Sequence, residues 1–259
     1  MDYLQTVRKK FEGERIAVIA SAPSATLFKN NSNTRSEYAT IIGVNGGSQL
    51  LTKGDFFVSG DEMAANRSWF QNIDGEITCF LRPSAAIYTK NFYPDTKFRD
   101  ERIKIYERYL EEHIEDTILK VPRRSLKEDA TVDMIFSDLP SPAMPHCLLY
   151  TITRDTPLSR DLQCVKTGGT SAALAMQVAH IMGASEVHLY GVEFSNEVSD
   201  GKNYNSGNYF YAPLSGETGM TTESQRTNMD KMIQEISTQG TTVFSHGPTK
   251  LENSVKLLK

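Results

Sequence analysis

The segment Thr167-Gly168-Gly169-Thr170-Ser171 sets two glycines and three hydroxyls at the head of a run, Gly169 to Met182, in which Ala, Leu, Met and Val recur at helical spacing. A helix that begins there presents unpaired backbone N–H groups and the positive end of its dipole, and the glycines let that backbone approach a ligand closely. Such a start can hold an anion, phosphate above all. The same residue types also make an ordinary helix cap, so this segment alone leaves both readings open. Ser21-Ala22-Pro23-Ser24 follows the apolar run Ile16-Ala17-Val18-Ile19-Ala20 and can contact phosphate or simply turn the chain. It lacks the Gly-x-Gly-x-x-Gly fingerprint and the P-loop lysine, which argues against a P-loop kinase and an ordinary dehydrogenase. Asn45 in Gly43-Val44-Asn45-Gly46 suits hydrogen bonding to a base or ribose, and equally a left-handed turn.

Carboxylates and imidazoles stand at other strand ends. Asp61 and Glu62 close the run Asp55 to Asp61, where a carboxylate can act as a general base, bind a metal or cap a helix. Glu193 follows Gly191-Val192, and His246 sits in Ser245-His246-Gly247-Pro248 after the last strand; both are candidates for proton transfer. His188, midway along a strand, reads as core. No pair of histidines has metalloprotease spacing, and Cys79, Cys147 and Cys164 form no paired motif, so no metal site or disulfide framework is expected. The stretch Lys97 to Lys127 alternates basic and acidic residues as an exposed helix does. Within it, Arg123, Arg124 and Lys127 lie in an acid-free stretch suited to a phosphate of a nucleic-acid or lipid-linked acceptor.

The elements that must position these residues are legible as alternating strands and helices. Ile41 to Gly47, Asp55 to Asp61 and Ile77 to Leu81 repeat the pattern of the first strand, each apolar and most ending in small or polar residues. Gly169 to Met182, the closing Gly183, and the strand Glu186 to Val192 form a crossover unit; a helix over Thr222 to Thr238 and the strand Thr241 to Phe244 follow. This is an α/β chain with a doubly wound, mostly parallel, Rossmann-like sheet, in which ligands lie beyond the carboxyl ends of the strands. One domain over residues 1–259 is expected, with a partly helical insertion or lid at about 85–163, including a helix over Arg99 to Ile118 and a proline-rich stretch from Ser137 to Pro145, and an active-site loop at about 195–220. A net charge of −4 argues against a surface that embraces nucleic acid throughout, while a local basic patch stays compatible with it. No apolar run approaches the roughly 20 residues of a membrane span and no signal segment is evident, so a cytoplasmic protein is expected.

The order of these parts resembles the bacterial sialyltransferases of glycosyltransferase family 42 and the uncharacterised and pterin-pyrophosphokinase-like proteins that share their fold. The resemblance rests on Val18-Ile19-Ala20-Ser21-Ala22-Pro23-Ser24, on Val44-Asn45, and above all on Thr170-Ser171 leading through Gly183 to Glu186-Val187-His188-Leu189-Tyr190-Gly191-Val192-Glu193-Phe194. It implies a single-domain, GT-A-like fold and a CMP-sugar donor held by Ser21, Ser24, Asn45, Thr170 and Ser171, to which the glycine-rich helix start adds Gly168 and Gly169 as donor-binding candidates. Tyr204, Tyr209 and Tyr211 would steady the leaving phosphate. Gly168 stands where the family carries an arginine, and no histidine between Ser215 and Met229 matches the family's base, which turns attention to Asp61, then Glu193, then His246. The resulting expectation is transfer of a sugar from a nucleotide donor, CMP-linked and without a required metal, to a hydroxyl of a saccharide or of a hydroxymethylated base in phage DNA. Arg123, Arg124 and Lys127 would hold the acceptor, and homo-oligomerisation is left open. A pyrophosphokinase-like enzyme using ATP and Mg²⁺, or a catalytically dead nucleotide-binding module, are the other classes.

Overall fold

The computed structural model describes residues 4–31, 33–61, 67–71, 73–81, 97, 100, 101, 103, 104, 108, 146–148, 151–152, 157–162, 165–166, 169–194 and 223–257. In chain order the elements are β1 (Arg15–Ile19), α1 (Ala25–Lys29), β2 (Thr40–Val44), β3 (Phe56–Ser59), α2 (Ser68–Gln71), β4 (Thr78–Leu81), β5 (His146–Leu148), β6 (Thr151–Ile152), β7 (Val165–Lys166), α3 (Ser171–Ile181), β8 (Glu186–Tyr190), α4 (Glu223–Ser237), β9 (Thr242–His246) and β10 (Val255–Leu257). Short 3₁₀ turns cover Thr34–Glu37 and Asn45–Leu50. Eight strands form one sheet in the order β10-β9-β8-β1-β2-β3-β4-β5. Every pairing in it is parallel.

A parallel strand is covered on both faces, and the central strands have the composition this requires. Ile16, Ala17, Val18 and Ile19 are fully buried, as are all five residues of β2. Alternate residues feed two cores. Val18, Ile42, Val44, Val58, Phe80, Val187 and Leu189 pack against α3 and α4 on one face. Ala17, Ile19, Ile41 and Tyr190 pack against Ala25, Phe28 and Tyr38 on the other. Each fully buried Ile or Val contributes roughly 1.5–3 kcal/mol over its exposed state, so the strand centres fix the register more firmly than any single hydrogen bond.

The helix α3 is buried on every side from Ala172 to Ile181. Its many alanines permit close packing, and its two interior polar residues find partners inside the protein. Gln177 Oε1 accepts the Lys166 N–H (2.6 Å) and its Nε2 donates to the Lys166 carbonyl (2.8 Å), so the side chain pairs with β7 as a neighbouring strand would. His180 Nδ1 lies 2.8 Å from Thr241 Oγ1 and Nε2 lies 3.3 Å from Gln239 Oε1.

The strands expected from the apolar runs are present: β1, β2, β3 and β8 end early, β4 ends at Leu81 as expected, and β9 runs on to His246. β2 stops at Val44 instead of reaching Gly47, because Asn45 adopts a left-handed φ of 50° and turns the chain into a 3₁₀ segment. β3 stops at Ser59, two residues short of Asp61. The predicted last helix and strand correspond to α4 and β9, and His246 is the last residue of β9 rather than part of the loop beyond it. Two edge strands escape the pattern: β10, and β5, which lies within the expected insertion yet pairs with β4 in the main sheet. Leu158, also within that interval, is buried in the main core. The six described positions between 97 and 108 are helical; Lys97, Asp100, Glu101, Lys104 and Arg108 are exposed, as an alternating-charge face should be. The proline-rich stretch 137–145 and the expected active-site loop at 195–220 lie outside the described residues. Among the described residues no helix is long and apolar enough to cross a membrane.

Burial, reinforced by the nearby Arg160 charge and only partly offset by the Gln239 contact, lowers the His180 pKa from 6.5 to about 4. The neutral ring is the one the fold accepts. Its stabilising contribution is therefore complete above the unfolded value of 6.5 and is lost as pH falls toward 4. Urea denaturation across that window should show a loss of up to about 3 kcal/mol attributable to this residue, and His180→Gln should flatten the slope.

Candidate functional site

In this topology β1 is the switch point. From it the chain runs through β2, β3, β4 and β5 toward one edge, and the later strands β8, β9 and β10 extend to the other. The connections beyond the carboxyl ends of β1 and β8 therefore diverge and leave a crevice, the usual ligand position in an open α/β sheet. Backbone donors exposed by that divergence need acceptors. Ala20 N–H still reaches the Tyr190 carbonyl (2.8 Å) and Ala22 N–H the Gly191 carbonyl (3.1 Å), which carries the ladder two steps past the strands. Beyond them side chains take over. Ser24 Oγ accepts the Gly191 N–H (2.9 Å), Glu193 Oε1 accepts the Ser24 N–H (2.5 Å), and Ser21 Oγ accepts the Gly46 N–H (3.0 Å).

Glycines make these approaches sterically feasible. Gly191 has φ of 71°, and a Cβ there would lie 2.9 Å from the carbonyl carbon and oxygen of Ala20. A Cβ on Gly47 would sit 1.9 Å from the Ile19 carbonyl oxygen. Between these contacts stands Asn45, whose Oδ1 is buried without a hydrogen-bond partner among the described residues.

The second half of the rim is the start of α3. Thr170 is its N-cap in extended conformation, and its Oγ1 accepts the Ala173 N–H (3.1 Å). Gly169 precedes it with φ of 76°, and its carbonyl accepts a hydrogen bond from Gln225 Nε2 (2.6 Å), tying the first turn of α4 to this point. Ser171 Oγ accepts the N–H of Gly60, the residue after β3 (3.0 Å). A Cβ on Gly60 would strike Leu174 Cδ1 at 2.7 Å, so the strand end lies directly on the helix. In all four hydroxyl contacts of the rim, those of Ser21, Ser24, Thr170 and Ser171, the oxygen is the acceptor. Among the described residues none of the four donates a hydrogen bond of its own, and an O–H donor suits an anionic or hydroxyl-rich ligand.

Asp61 follows Gly60 and is thereby brought beside the α3 start. Its N–H donates to Ser59 Oγ (3.2 Å), and its half-exposed carboxylate lies 3.4 Å from Arg67 Nε. This carboxylate is accessible and has a cationic neighbour. Glu193 differs: it is 7% exposed and engaged with the β1 loop. His246 is drawn elsewhere. Its Nε2 lies 2.9 Å from His188 Nδ1, and its ring stacks on Tyr190 at 4.0 Å between centroids, on the α1 side of the sheet. His188 in turn meets Glu186 (3.0 Å), which pairs with Arg15 (2.9 Å). Burial holds the His188 pKa below its usual value, with Glu186 opposing. The Tyr38 and Tyr190 hydroxyls lie 2.7 Å apart, and burial raises both phenols above the ordinary tyrosine range.

The structure thus brings Ser21, Ser24, Asn45, Gly169, Thr170, Ser171, Asp61 and Glu193 to one rim and places His246 in the aromatic cluster below it. Glu62, Thr167, Gly168, Tyr204, Tyr209, Tyr211, Arg123, Arg124 and Lys127 lie outside the described residues. Gly60, Gly191 and Gln225 also belong to the rim, beyond the residues the sequence pointed to. The two glycines close apolar runs and were detectable on that basis; Gln225, 56 residues from its partner, carries no local signal. Among the described residues no group of three or more His, Cys, Asp or Glu could hold a metal ion.

No family model matches the sequence, and no curated protein matches it. Among solved structures, the Maf glycosyltransferase from Magnetospirillum magneticum AMB-1 is similar with a TM-score of 0.49 and 12% identity over 99% of this chain. The chain spans 37% of the length of that protein's chain.

The glycine geometry predicts a contrast between two sites of like backbone angle. Gly13 has φ of 78° and nothing within 4 Å of the place a Cβ would occupy, whereas Gly191 meets backbone on two sides. Gly13→Ala should cost about 1 kcal/mol, the ordinary left-handed penalty, and Gly191→Ala about 3 kcal/mol or more, measured by urea unfolding.

Proposed function

We propose that this chain is a glycosyltransferase whose donor is a nucleotide-linked sugar, CMP-linked, and whose acceptor is a hydroxyl of a saccharide or of a hydroxymethylated DNA base. The observation that carries this reading is the rim at the switch point: four hydroxyl oxygens that each accept a backbone N–H and, among the described residues, donate no hydrogen bond, beside Asn45 Oδ1, which is buried with no hydrogen-bond partner among those residues. The α3 start offers its dipole and the Thr170 and Ser171 hydroxyls to a phosphate, while Asn45 Oδ1 suits a donor such as a ribose hydroxyl or an exocyclic amine.

In the proposed reaction the acceptor oxygen bonds to the anomeric carbon as the bond from that carbon to the phosphate oxygen breaks. The acceptor's proton passes to the Asp61 carboxylate, and the electron pair leaves on the phosphate, where donors at the α3 start stabilise it. Asp61 is the choice of base because its carboxylate is half-exposed at the rim, unlike that of Glu193. The step as written uses no metal. Arg123, Arg124 and Lys127 are proposed to meet the acceptor.

A thermal-shift series with CMP, CDP, UDP, GDP and ATP tests the donor class. CMP should stabilise most, by about 2.7 kcal/mol at a hundredfold excess over its Kd, whereas stabilisation by ATP with Mg²⁺ in its place would point to pyrophosphoryl transfer. With a turned-over donor, Asp61→Asn should lower kcat by about 10²–10⁴-fold with little change in donor KM. Full turnover by that variant would remove Asp61 as base.

A further inference from the structure

We infer that Glu193 is a positioning residue, a brace that holds the β1 loop in its ligand-ready shape, and not the proton acceptor. The helix α1 that follows this loop has only five residues, and its N-cap, Ser24, makes no capping bond with its own side chain. A helix that short has no independent stability; the Ala22, Pro23 and Ser24 carbonyls take the N–H groups of Ala25, Thr26 and Leu27, and the Ser24 N–H finds its acceptor on another loop. Ser24 has turned its hydroxyl away to take the Gly191 N–H, and Glu193 Oε1 takes the Ser24 N–H at 2.5 Å. The two contacts run in opposite senses between the same pair of loops, so each loop supplies the acceptor for the other's backbone.

The carboxylate is held in place from behind. Lys250 N–H donates to the Glu193 carbonyl (3.0 Å) and Thr249 Oγ1 to the Val192 carbonyl (2.9 Å). Phe194, the next residue, adopts a φ of 53° that non-glycine residues seldom take, and its side chain is buried. On the far side of the loop Gly247 packs so closely that a Cβ there would lie 2.7 Å from Ser24 Cβ. Ser24 and Glu193 are 5% and 7% exposed. A carboxylate so enclosed, already accepting a backbone proton donor, is set to fix geometry. Its work on a ligand is indirect: it fixes where the Ser21 and Ser24 hydroxyls stand.

The kinetic consequence rests on the nucleotide-binding reading given above, but the brace itself does not, and the test separates them. Glu193→Gln keeps a carbonyl acceptor at the same reach and loses the charge. Glu193→Asp keeps the charge and withdraws it by about 1.5 Å, out of reach of Ser24 N–H. A brace therefore ranks Gln above Asp, and a base ranks Asp above Gln. In the ligand-free full chain, amide exchange of the peptide covering residues 21–25 should stay within about threefold of wild type in Glu193→Gln. It should quicken about tenfold or more in Glu193→Asp, the fold-change expected from losing a hydrogen bond to a charged group. CMP affinity and turnover should follow the same order, with Gln rescuing most of what Asp loses and Asp raising the donor KM more than it lowers kcat. The opposite order in turnover, or an unchanged exchange rate in Glu193→Asp, would overturn the assignment. If wild type binds no CMP, the nucleotide reading fails while the exchange comparison still decides the brace.

Discussion

Everything at the candidate site depends on one constraint: where β1 and β8 part company, the backbone N–H groups of the diverging chains must find new acceptors. Inside the sheet each strand satisfies its neighbour, and the burial of Ile16 to Ile19 leaves no alternative register. Past Ala22 and Gly191 that mutual supply ends. The protein answers with side-chain oxygens, Ser24 for Gly191, Glu193 for Ser24 and Ser21 for Gly46, and one strand further with Ser171 for Gly60. A structural necessity has thereby assembled a row of hydroxyls whose oxygens are committed to backbone N–H groups. The rim is polar because the sheet must end there.

The same constraint explains the composition of the elements behind the rim. To bring Ser171 to Gly60 the α3 helix must lie directly on the sheet, which its alanines allow and which buries it entirely. Complete burial then forces Gln177 and His180 to find partners, and they do so by pinning β7 and the turn after α4. Gln225 closes the arrangement by fixing Gly169 from the start of α4. Glycines stand where backbone meets backbone or helix, at Gly47, Gly60 and Gly191, and a methyl group at any of them would collide with a neighbour.

Much of this was readable in the sequence, for reasons that differ by residue. β1 to β4, β8 and β9 announce themselves as short apolar runs because both faces of a parallel strand are covered, and α3 and α4 through their spacing. β5 and β10 have three residues each and lie at the sheet edges, where burial imposes no pattern. The cluster of Ser21, Ser24, Asn45, Thr170 and Ser171 was foreseeable because strand ends in such a sheet converge. What each atom does there was not. Glu193 is 169 residues from Ser24, and nothing local tells a carboxylate that braces a loop from one that moves a proton. His246 follows the same rule of position, yet its ring packs on Tyr190 and toward His188, a preference set by neighbours on adjacent strands.

If the α3 start and the switch-point hydroxyls form one nucleotide cradle, both halves must contribute to holding CMP. Calorimetric titration of CMP into wild type and into Thr170→Val and Ser171→Ala chains tests this most directly, with folding of each variant checked by its unfolding midpoint. Wild type should bind, and affinity should weaken about tenfold or more in each variant, the loss expected for one hydrogen bond to a charged phosphate. CMP affinity unchanged by both substitutions, in chains that remain folded, would contradict the shared cradle.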